Sequence, residues 1–328
     1  MKKQVIFPLT AILIFGGLMV ACSKSSSSSG SGGTSTTQVQ TQSSDETQVS
    51  NEVDASTNDV TTSLTSQSSI NGDAVSGTTH GISPYSEGSG SVTSTSLICD
   101  ATVVLDTAAG AKTVTITYNG TNCWGNRTRT GTVVISIPEG VHWRDTGAIA
   151  TVSVQNLKIT RVADNKTITL NGTYTYTNVS GGSLKDLETL GTITHSIAAS
   201  NLSINFGDSA TRTWNIAKQR AFTYNNGLVI TTTGTYSDGT NKDISEWGTN
   251  RYGNSFERLI LEPMVIQQSC NLRLTSGQTE TIRPAVTTDI TYGLDANGDS
   301  TGCPGEGNYY YKAAWTIGGK TYTYIGPY

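Results

Sequence analysis

The feature that most constrains the fold is a two-residue alternation of apolar and polar side chains, which recurs from Ile98 to the C terminus. It is clearest in residues 132–137, 149–154, 168–177 and 228–236. Successive side chains of a strand point to opposite faces, so this period predicts strands with one buried face. The alternation breaks at turn-forming dipeptides, which are Asn119-Gly120, Asn171-Gly172, Asn226-Gly227, Asp238-Gly239 and Gly318-Gly319. The sequence therefore predicts an all-β fold.

Only one stretch of this region has helical spacing. Residues 182–190 carry Leu184, Leu187 and Leu190 and predict a short helical turn. We place a domain junction there, because many short strands with frequent turns are typical of β-sandwiches. The expectation is two β-sandwich-like domains, over residues 96–182 and 183–328.

Four cysteines of the β region form two spaced pairs with similar surroundings. Cys99 and Cys123 flank an Ile-Thr-Tyr segment that ends at Tyr118, and Cys270 and Cys303 flank another that ends at Tyr292. Four cysteines allow three connectivities, and the repeat favours the two local pairings, 99 with 123 and 270 with 303. Metal binding by these thiols is less favoured, because no Cys-x-x-Cys spacing or adjacent histidine is present.

The first residues predict export. Two lysines precede an apolar run that is too short for a comfortable membrane span, which indicates a signal peptide over residues 1–21. The segment Leu18-Met19-Val20-Ala21-Cys22 resembles a lipobox. That resemblance implies cleavage before Cys22 and acylation of this cysteine, so that membrane lipid is a partner. Ser23 in place of aspartate favours the outer membrane, with a periplasmic or cell-surface face.

Residues 22–95 are rich in Ser, Thr, Gly, Asn and Gln and poor in aromatic residues. A segment of this composition buries too little apolar surface to offset its ordering entropy, so we expect a long disordered tether. Beyond residue 95 the chain carries 18 Lys or Arg against 18 Asp or Glu, so the formal net charge of −4 arises from the N-terminal part. A neutral β region without a basic stripe argues against nucleic-acid binding.

One segment carries a family resemblance. Cys123-Trp124-Gly125-Asn126-Arg127-Thr128-Arg129-Thr130-Gly131 resembles a family of Gram-negative outer-membrane or cell-surface lipoproteins of unknown function. The resemblance extends through residues 169–179 and returns at 263–270 and 316–322. It implies a β-rich exported lipoprotein and brings no activity with it.

An acidic turn gives the clearest metal hypothesis. Asp295, Asn297, Asp299 and Thr301 place oxygen atoms at alternate positions, and Glu306 stands twelfth, as in a calcium loop. Ser300 stands where that loop needs glycine, Cys303 occupies the ninth position, and no flanking helices are expected. A polar hairpin loop is the favoured interpretation, and Ca²⁺ is the one cofactor considered.

Aromatic residues beside turns give the ligand hypothesis. Trp124 and Trp143 could present flat faces to a glycan, although most aromatic residues on strands belong to a core. The three histidines are far apart, and no catalytic motif is present, so we predict no catalytic residue. The leading hypothesis is a non-enzymatic envelope lipoprotein with a structural or interaction role, with an envelope protein as a further partner. The alternatives are a surface glycan-binding accessory module and a polysaccharide hydrolase.

Overall fold

A single antiparallel meander of fourteen strands dominates the computed structural model, which describes residues 35–71, 98–106, 111–208, 210–303 and 309–328. The first seven strands are β1 (Ala101–Asp106), β2 (Lys112–Thr121), β3 (Arg127–Ile137), β4 (Ala148–Arg161), β5 (Thr167–Asn178), β6 (Thr192–Asn205) and β7 (Thr211–Tyr224). The other seven are β8 (Leu228–Gly234), β9 (Ile244–Thr249), β10 (Ser255–Gln267), β11 (Arg273–Arg283), β12 (Val286–Leu294), β13 (Tyr310–Ile317) and β14 (Lys320–Pro327). The predicted all-β class is confirmed.

Neighbours in sequence are neighbours in the sheet, with one exception. β8 and β9 are both short, and together they fill the place between β7 and β10. β8 pairs with one half of each long strand and β9 pairs with the other half. The order β1-β2-β3-β4-β5-β6-β7-β8-β10-β11-β12-β13-β14 otherwise follows the chain.

The predicted division into domains at 182/183 is corrected by the pairing of β5 with β6. Eight residue pairs join these strands across the predicted boundary, from Thr169 opposite Asn205 to Asn178 opposite His195. The described residues belong to one compact unit. The short helical turn predicted over residues 182–190 is confirmed, as a 3-10 turn at Leu184–Asp186 followed by α3 (Leu187–Leu190). It connects two strands of one sheet, so it does not mark a junction between domains.

The main correction concerns the predicted tether. Residues within it form α1 (Thr36–Ser66), a 31-residue helix, and the short α2 (Ser68–Asn71). A capping box begins α1, in which the Ser35 hydroxyl accepts from the Gln38 amide and the Gln38 side chain accepts from the Ser35 amide. The expectation of disorder is therefore wrong for residues 36–71. The signal peptide, Cys22 and the remainder of the predicted tether lie outside the described residues.

The sheet surrounds α1. Side chains of β2, β3, β5, β7, β10, β11 and β12 hydrogen-bond to the helix, so partners reach it from nearly the whole length of the sheet. Val49, Val53, Val60 and Leu64 join the larger apolar core, which inward residues of β1 to β7 and Phe256 of β10 complete. Val39 joins a second core on β7, β8 and β10 to β13. Within the described residues, no helix is both long and apolar enough to span a bilayer.

Ion pairs hold the polar face of the helix. The helix contains five acidic residues and no lysine or arginine. Each acidic side chain meets a cation from the surrounding sheet or its loops, and the pairs are Asp45 with Arg251, Glu46 with Arg283, Glu52 with Arg127, Asp54 with Lys218 and Asp59 with Arg129. Buried charges need such partners, because an unpaired ion loses its hydration without compensation. The inward cations of the strands thus allow a polar segment to fold in the interior.

Candidate functional site

A cavity of about 510 Å³ opens where both ends of the sheet approach α1. We call it the Trp124 cavity. One wall comes from the β2–β3 turn with Ile98 and Cys99, and the other from the β10–β11 connection with Tyr328. Its floor is the helix face that carries Asn51, Asp54, Ala55, Asn58 and Asp59. The volume lies within the range of small-ligand sites in proteins.

Between Gln42 and Thr65, the helix side chains that stay partly exposed lie at this cavity. From Gln42 to Thr65 every residue is buried except Asn51 and Ala55. These two residues are four positions apart, so they lie on one face, one turn from each other. Within residues 42–65, the least buried part of the helix is therefore the floor of the Trp124 cavity.

The β2–β3 turn presents Trp124 in a fixed position. Asn122 Oδ1 accepts hydrogen bonds from the backbone amides of Asn126 and Arg127, each at 3.2 Å. Its Nδ2 donates to Asn126 Oδ1 at 2.8 Å. The indole of Trp124 is 47% exposed at the tip of this turn. A disulfide joins the adjacent Cys123 to Cys99, with the two Cα atoms 5.3 Å apart.

Charged groups line the same cavity and are held by partners. Arg127 Nε lies 2.5 Å from Glu52 Oε1. The guanidinium carbon of Arg129 lies 4.3 Å from the ring centroid of Tyr118, and this side chain donates to Asp59 at 2.7 Å and to both carboxylate oxygens of Asp100. Burial raises the pKa of Asp59, although Arg129 and the Tyr118 hydroxyl oppose that shift. Asp59 is therefore engaged by two donors at the cavity floor.

The opposite wall brings a third guanidinium. Arg273 stacks over the ring of Tyr309 at 4.1 Å and donates to the carbonyl oxygen of Tyr328 at 3.4 Å. Burial lowers the pKa of Arg273, and the positive charge of Arg127 acts in the same direction. Arg127 of β3 and Arg273 of β11 thus face one cavity, beside the amide groups of Asn122, Asn126 and Asn271.

Of the two tryptophans predicted to contact a glycan, the structure places one at the cavity and the other in the core. Trp143 is 1% exposed and stacks on Tyr176, with ring centroids 5.2 Å apart. A ligand cannot reach its faces, so the predicted ligand contact at Trp143 is wrong. Trp124 remains a candidate, because its ring is exposed at the cavity.

The two predicted disulfides are present with the predicted connectivity. Cys270 and Cys303 are joined with their Cα atoms 5.1 Å apart. Both bridges fix the loop after an Ile-Thr-Tyr strand to the segment before the preceding strand. The tyrosines of the two motifs both contact α1, Tyr118 through Asp59 at 2.8 Å and Tyr292 through Thr47 at 3.2 Å. The repeat therefore marks two similar supports of the helix.

The predicted calcium loop is a turn stabilised by Asp295. Its Oδ1 accepts the backbone amides of Asn297 and Asp299, at 2.8 and 3.0 Å. These hydrogen bonds lower the pKa of Asp295. Within the described residues no group of three or more His, Cys, Asp or Glu side chains is placed to hold a metal ion. Glu306 lies outside those residues, and calcium binding with Asp299 and Thr301 stays a prediction.

The floor of the cavity was missed by the sequence analysis, since Asn51 and Ala55 lay in the predicted tether. A usable signal was present, because residues 34–71 contain no glycine or proline whereas both flanks are rich in glycine.

The chain was also compared with known proteins, and no family model, no curated protein and no solved structure matches it significantly. Membership of the lipoprotein family stays a prediction.

Proposed function

We propose that this chain is a lipid-anchored cell-envelope protein that binds a glycan, without turnover, in the Trp124 cavity. The observation that carries the proposal is the half-exposed indole of Trp124 on a turn fixed by Asn122 and a disulfide, at the edge of a polar cavity. An aromatic face packs against the apolar side of a sugar ring, and amide and guanidinium groups suit its hydroxyls.

The chemistry of the cavity supports binding over catalysis. Asp59 accepts from Tyr118 and Arg129, and Asp54 lies 3.3 Å from Lys218 Nζ. Carboxylates held by cations in this way are poorly placed to exchange protons with a substrate. Asn51, Asn58 and Asn126 offer donors and acceptors whose state does not change with pH.

Anchoring rests on the sequence. The lipobox-like segment that ends at Cys22 supports acylation, and several acyl chains together hold a protein stably on a bilayer. Replacement of Cys22 by serine should abolish acylation and move the protein from the membrane fraction to the soluble fraction. Retention of the Cys22→Ser protein in membranes after a carbonate wash would contradict the anchor.

Glycan-array screening of the purified chain, followed by calorimetry on the best ligand, tests the binding proposal. Trp124→Ala should weaken binding at least tenfold, and Ala55→Phe should abolish it by filling the floor of the cavity. Tyr224→Ala is the matched control, because Tyr224 is a similarly exposed aromatic residue outside the cavity. Unchanged affinity in both cavity variants would refute the site. Release of shorter sugars from a polysaccharide panel would refute binding without turnover and favour the hydrolase alternative.

A further inference from the structure

Four polar residues form a row across the inner side of the sheet, at some distance in sequence from the residues of the Trp124 cavity. Asn178 of β5 stands directly opposite His195 of β6, His195 opposite Arg220 of β7, and Arg220 opposite Thr232 of β8. All four side chains are at most 1% exposed. We call this set the Arg220 row. The apolar residues Ala148 and Met264 continue it on either side.

Each member of the row carries a buried polar atom without a hydrogen-bond partner. These atoms are Asn178 Oδ1, His195 Nε2, Arg220 Nε and Nη1, and Thr232 Oγ1. Buried polar groups in folded proteins nearly always have a partner, and a consecutive row of exceptions points to a bound species. Arg220 Nη2 does have a partner, since it donates to Asn58 Oδ1 of α1.

Arg220 is also exceptional in its charge. The buried cations Arg129, Lys218, Arg258 and Arg283 all lie within 4.0 Å of a carboxylate. Among the described residues, no carboxylate lies that close to Arg220. The guanidinium carbon instead lies 5.4 Å from the ring centroid of Phe222. A fully buried guanidinium with no opposite charge beside it is costly, and an anion would neutralise it.

The remaining neighbours supply no negative charge near neutral pH. Burial and the Arg220 charge lower the pKa of His195 to about 3, so its ring is neutral. Burial raises the pKa of Tyr174 and Tyr176 above 10, so both phenols are protonated.

A chain of hydrogen bonds determines which atoms of the row are donors. The Thr61 hydroxyl donates to the Thr57 carbonyl at 2.8 Å, so it accepts from Tyr176, whose oxygen lies 2.7 Å away. Tyr176 then accepts from His195 Nδ1 at 2.6 Å, which leaves Nε2 of the neutral ring as an acceptor. Arg220 and Thr232 are therefore the donor end of the row, and His195 and Asn178 provide its acceptors.

We propose that Arg220 Nε and Nη1, with the Thr232 hydroxyl, bind a small inorganic anion of the chloride class inside the fold. An anion there accepts hydrogen bonds from the donor end of the row. It also neutralises the Arg220 guanidinium, which is buried and has no carboxylate nearby among the described residues. The burial of all four residues limits its size. Because Arg220 also holds Asn58, the bound anion stabilises the docking of α1 against β7.

Thermal unfolding of the purified full chain tests this proposal at constant ionic strength, with sodium chloride exchanged for sodium gluconate, whose anion is too large to enter. Chloride should raise Tm saturably, by roughly 5 °C at a hundredfold excess over its dissociation constant. Arg220→Met should remove the chloride dependence, and Arg144→Met should retain it, because Arg144 is an exposed cation. Equal Tm values for the unsubstituted chain in the two salts would overturn the proposal.

A second measurement needs no variant. Crystals of the unsubstituted chain soaked in bromide should show an anomalous peak beside Arg220 Nε and Nη1. A peak confined to surface cations would overturn the site, even if Arg220→Met failed to fold.

Discussion

Arg283 of β11 forms a two-point ion pair with Glu46 of α1, with Nη2 2.5 Å from Oε2 and Nε 3.2 Å from Oε1. The two residues are 237 positions apart in the sequence. Both side chains are almost completely buried. The contact represents the general principle of this fold, in which an acidic helix is held inside a sheet by cations that distant strands supply.

Removal of one partner of the Arg283–Glu46 pair should strongly lower the free energy of unfolding. Arg283→Met leaves the Glu46 carboxylate without its main partner in the interior, so we expect a loss of about 3–5 kcal/mol in the free energy of unfolding, measured by urea denaturation at pH 7. The double variant Glu46→Gln/Arg283→Met should recover part of that loss. Arg144→Met is the control, because its pair with Asp186 is exposed and should contribute under about 1 kcal/mol.

The stability of Arg283→Met should depend on pH in a distinctive way. Burial already raises the pKa of Glu46, and Arg283 is the largest influence that lowers it. Without Arg283, the folded state holds a proton on Glu46 to a higher pH than the unfolded state does. Arg283→Met should therefore lose stability, relative to the unsubstituted chain, as the pH rises above the folded-state pKa that Glu46 has in the unsubstituted chain, which itself lies above 4.5. A pH-independent difference would contradict this account of the pair.

His195 predicts an acid-sensitive fold. Its pKa falls from 6.5 to about 3 in the folded state, so only the unfolded state takes up a proton on this ring between those values. Stability should decrease as the pH falls from 6.5 towards 3, by up to about 1.4 kcal/mol per pH unit from this residue. His195→Gln should show a shallower decline than the unsubstituted chain.

The two disulfides should stabilise the chain by restricting its unfolded state. Their sequence separations are 24 and 33 residues, for which chain-entropy arguments give about 3–4 kcal/mol each. Cys99→Ala/Cys123→Ala should lower the urea midpoint, and it should also increase the flexibility of Trp124, visible as faster decay of its fluorescence anisotropy. An unchanged midpoint in the double variant would contradict a stabilising role.

Gly131 should resist substitution because of its position in the β3–β4 pairing. Its φ of +116° disfavours any other residue, and a Cβ atom there would lie 2.3 Å from the Asn156 carbonyl oxygen. The pairing of β3 with β4 shifts register between Thr130 and Thr132, so the glycine permits the backbone to bend. Gly131→Ala should destabilise the fold by more than Gly140→Ala, where φ is also positive but the space is open. Similar melting temperatures for the two variants would contradict this.

The sequence predicted the strands because their alternation is local, and it predicted the disulfides because the two cysteine pairs repeat one context. It failed on α1 because the stabilising partners of this helix are remote. Its own side chains cannot form a core, and Arg251 and Arg283 lie more than 200 residues away. The Ser35–Gln38 capping box and the valine spacing were local signals of a helix, but they could not reveal the enclosing sheet.

The same limitation applies to the candidate site. Trp124 and Trp143 both lie beside turns, and the sequence could not separate them. Trp143 is buried because its amide donates to the carbonyl of Ile70 and its ring packs on Tyr176 of β5. Trp124 projects from a hairpin tip, where about half of its side chain is exposed.

The central claim is that the acidic segment is a folded interior helix whose Asn51–Ala55 face forms the floor of the Trp124 cavity. Hydrogen–deuterium exchange of the full chain, read by mass spectrometry over residues 42–65, tests it most directly. The account predicts that amides of this segment exchange as slowly as those of β5 and β6, because both need global unfolding to open. Complete exchange of residues 42–65 at the shortest labelling time, with the strands still protected, would contradict it.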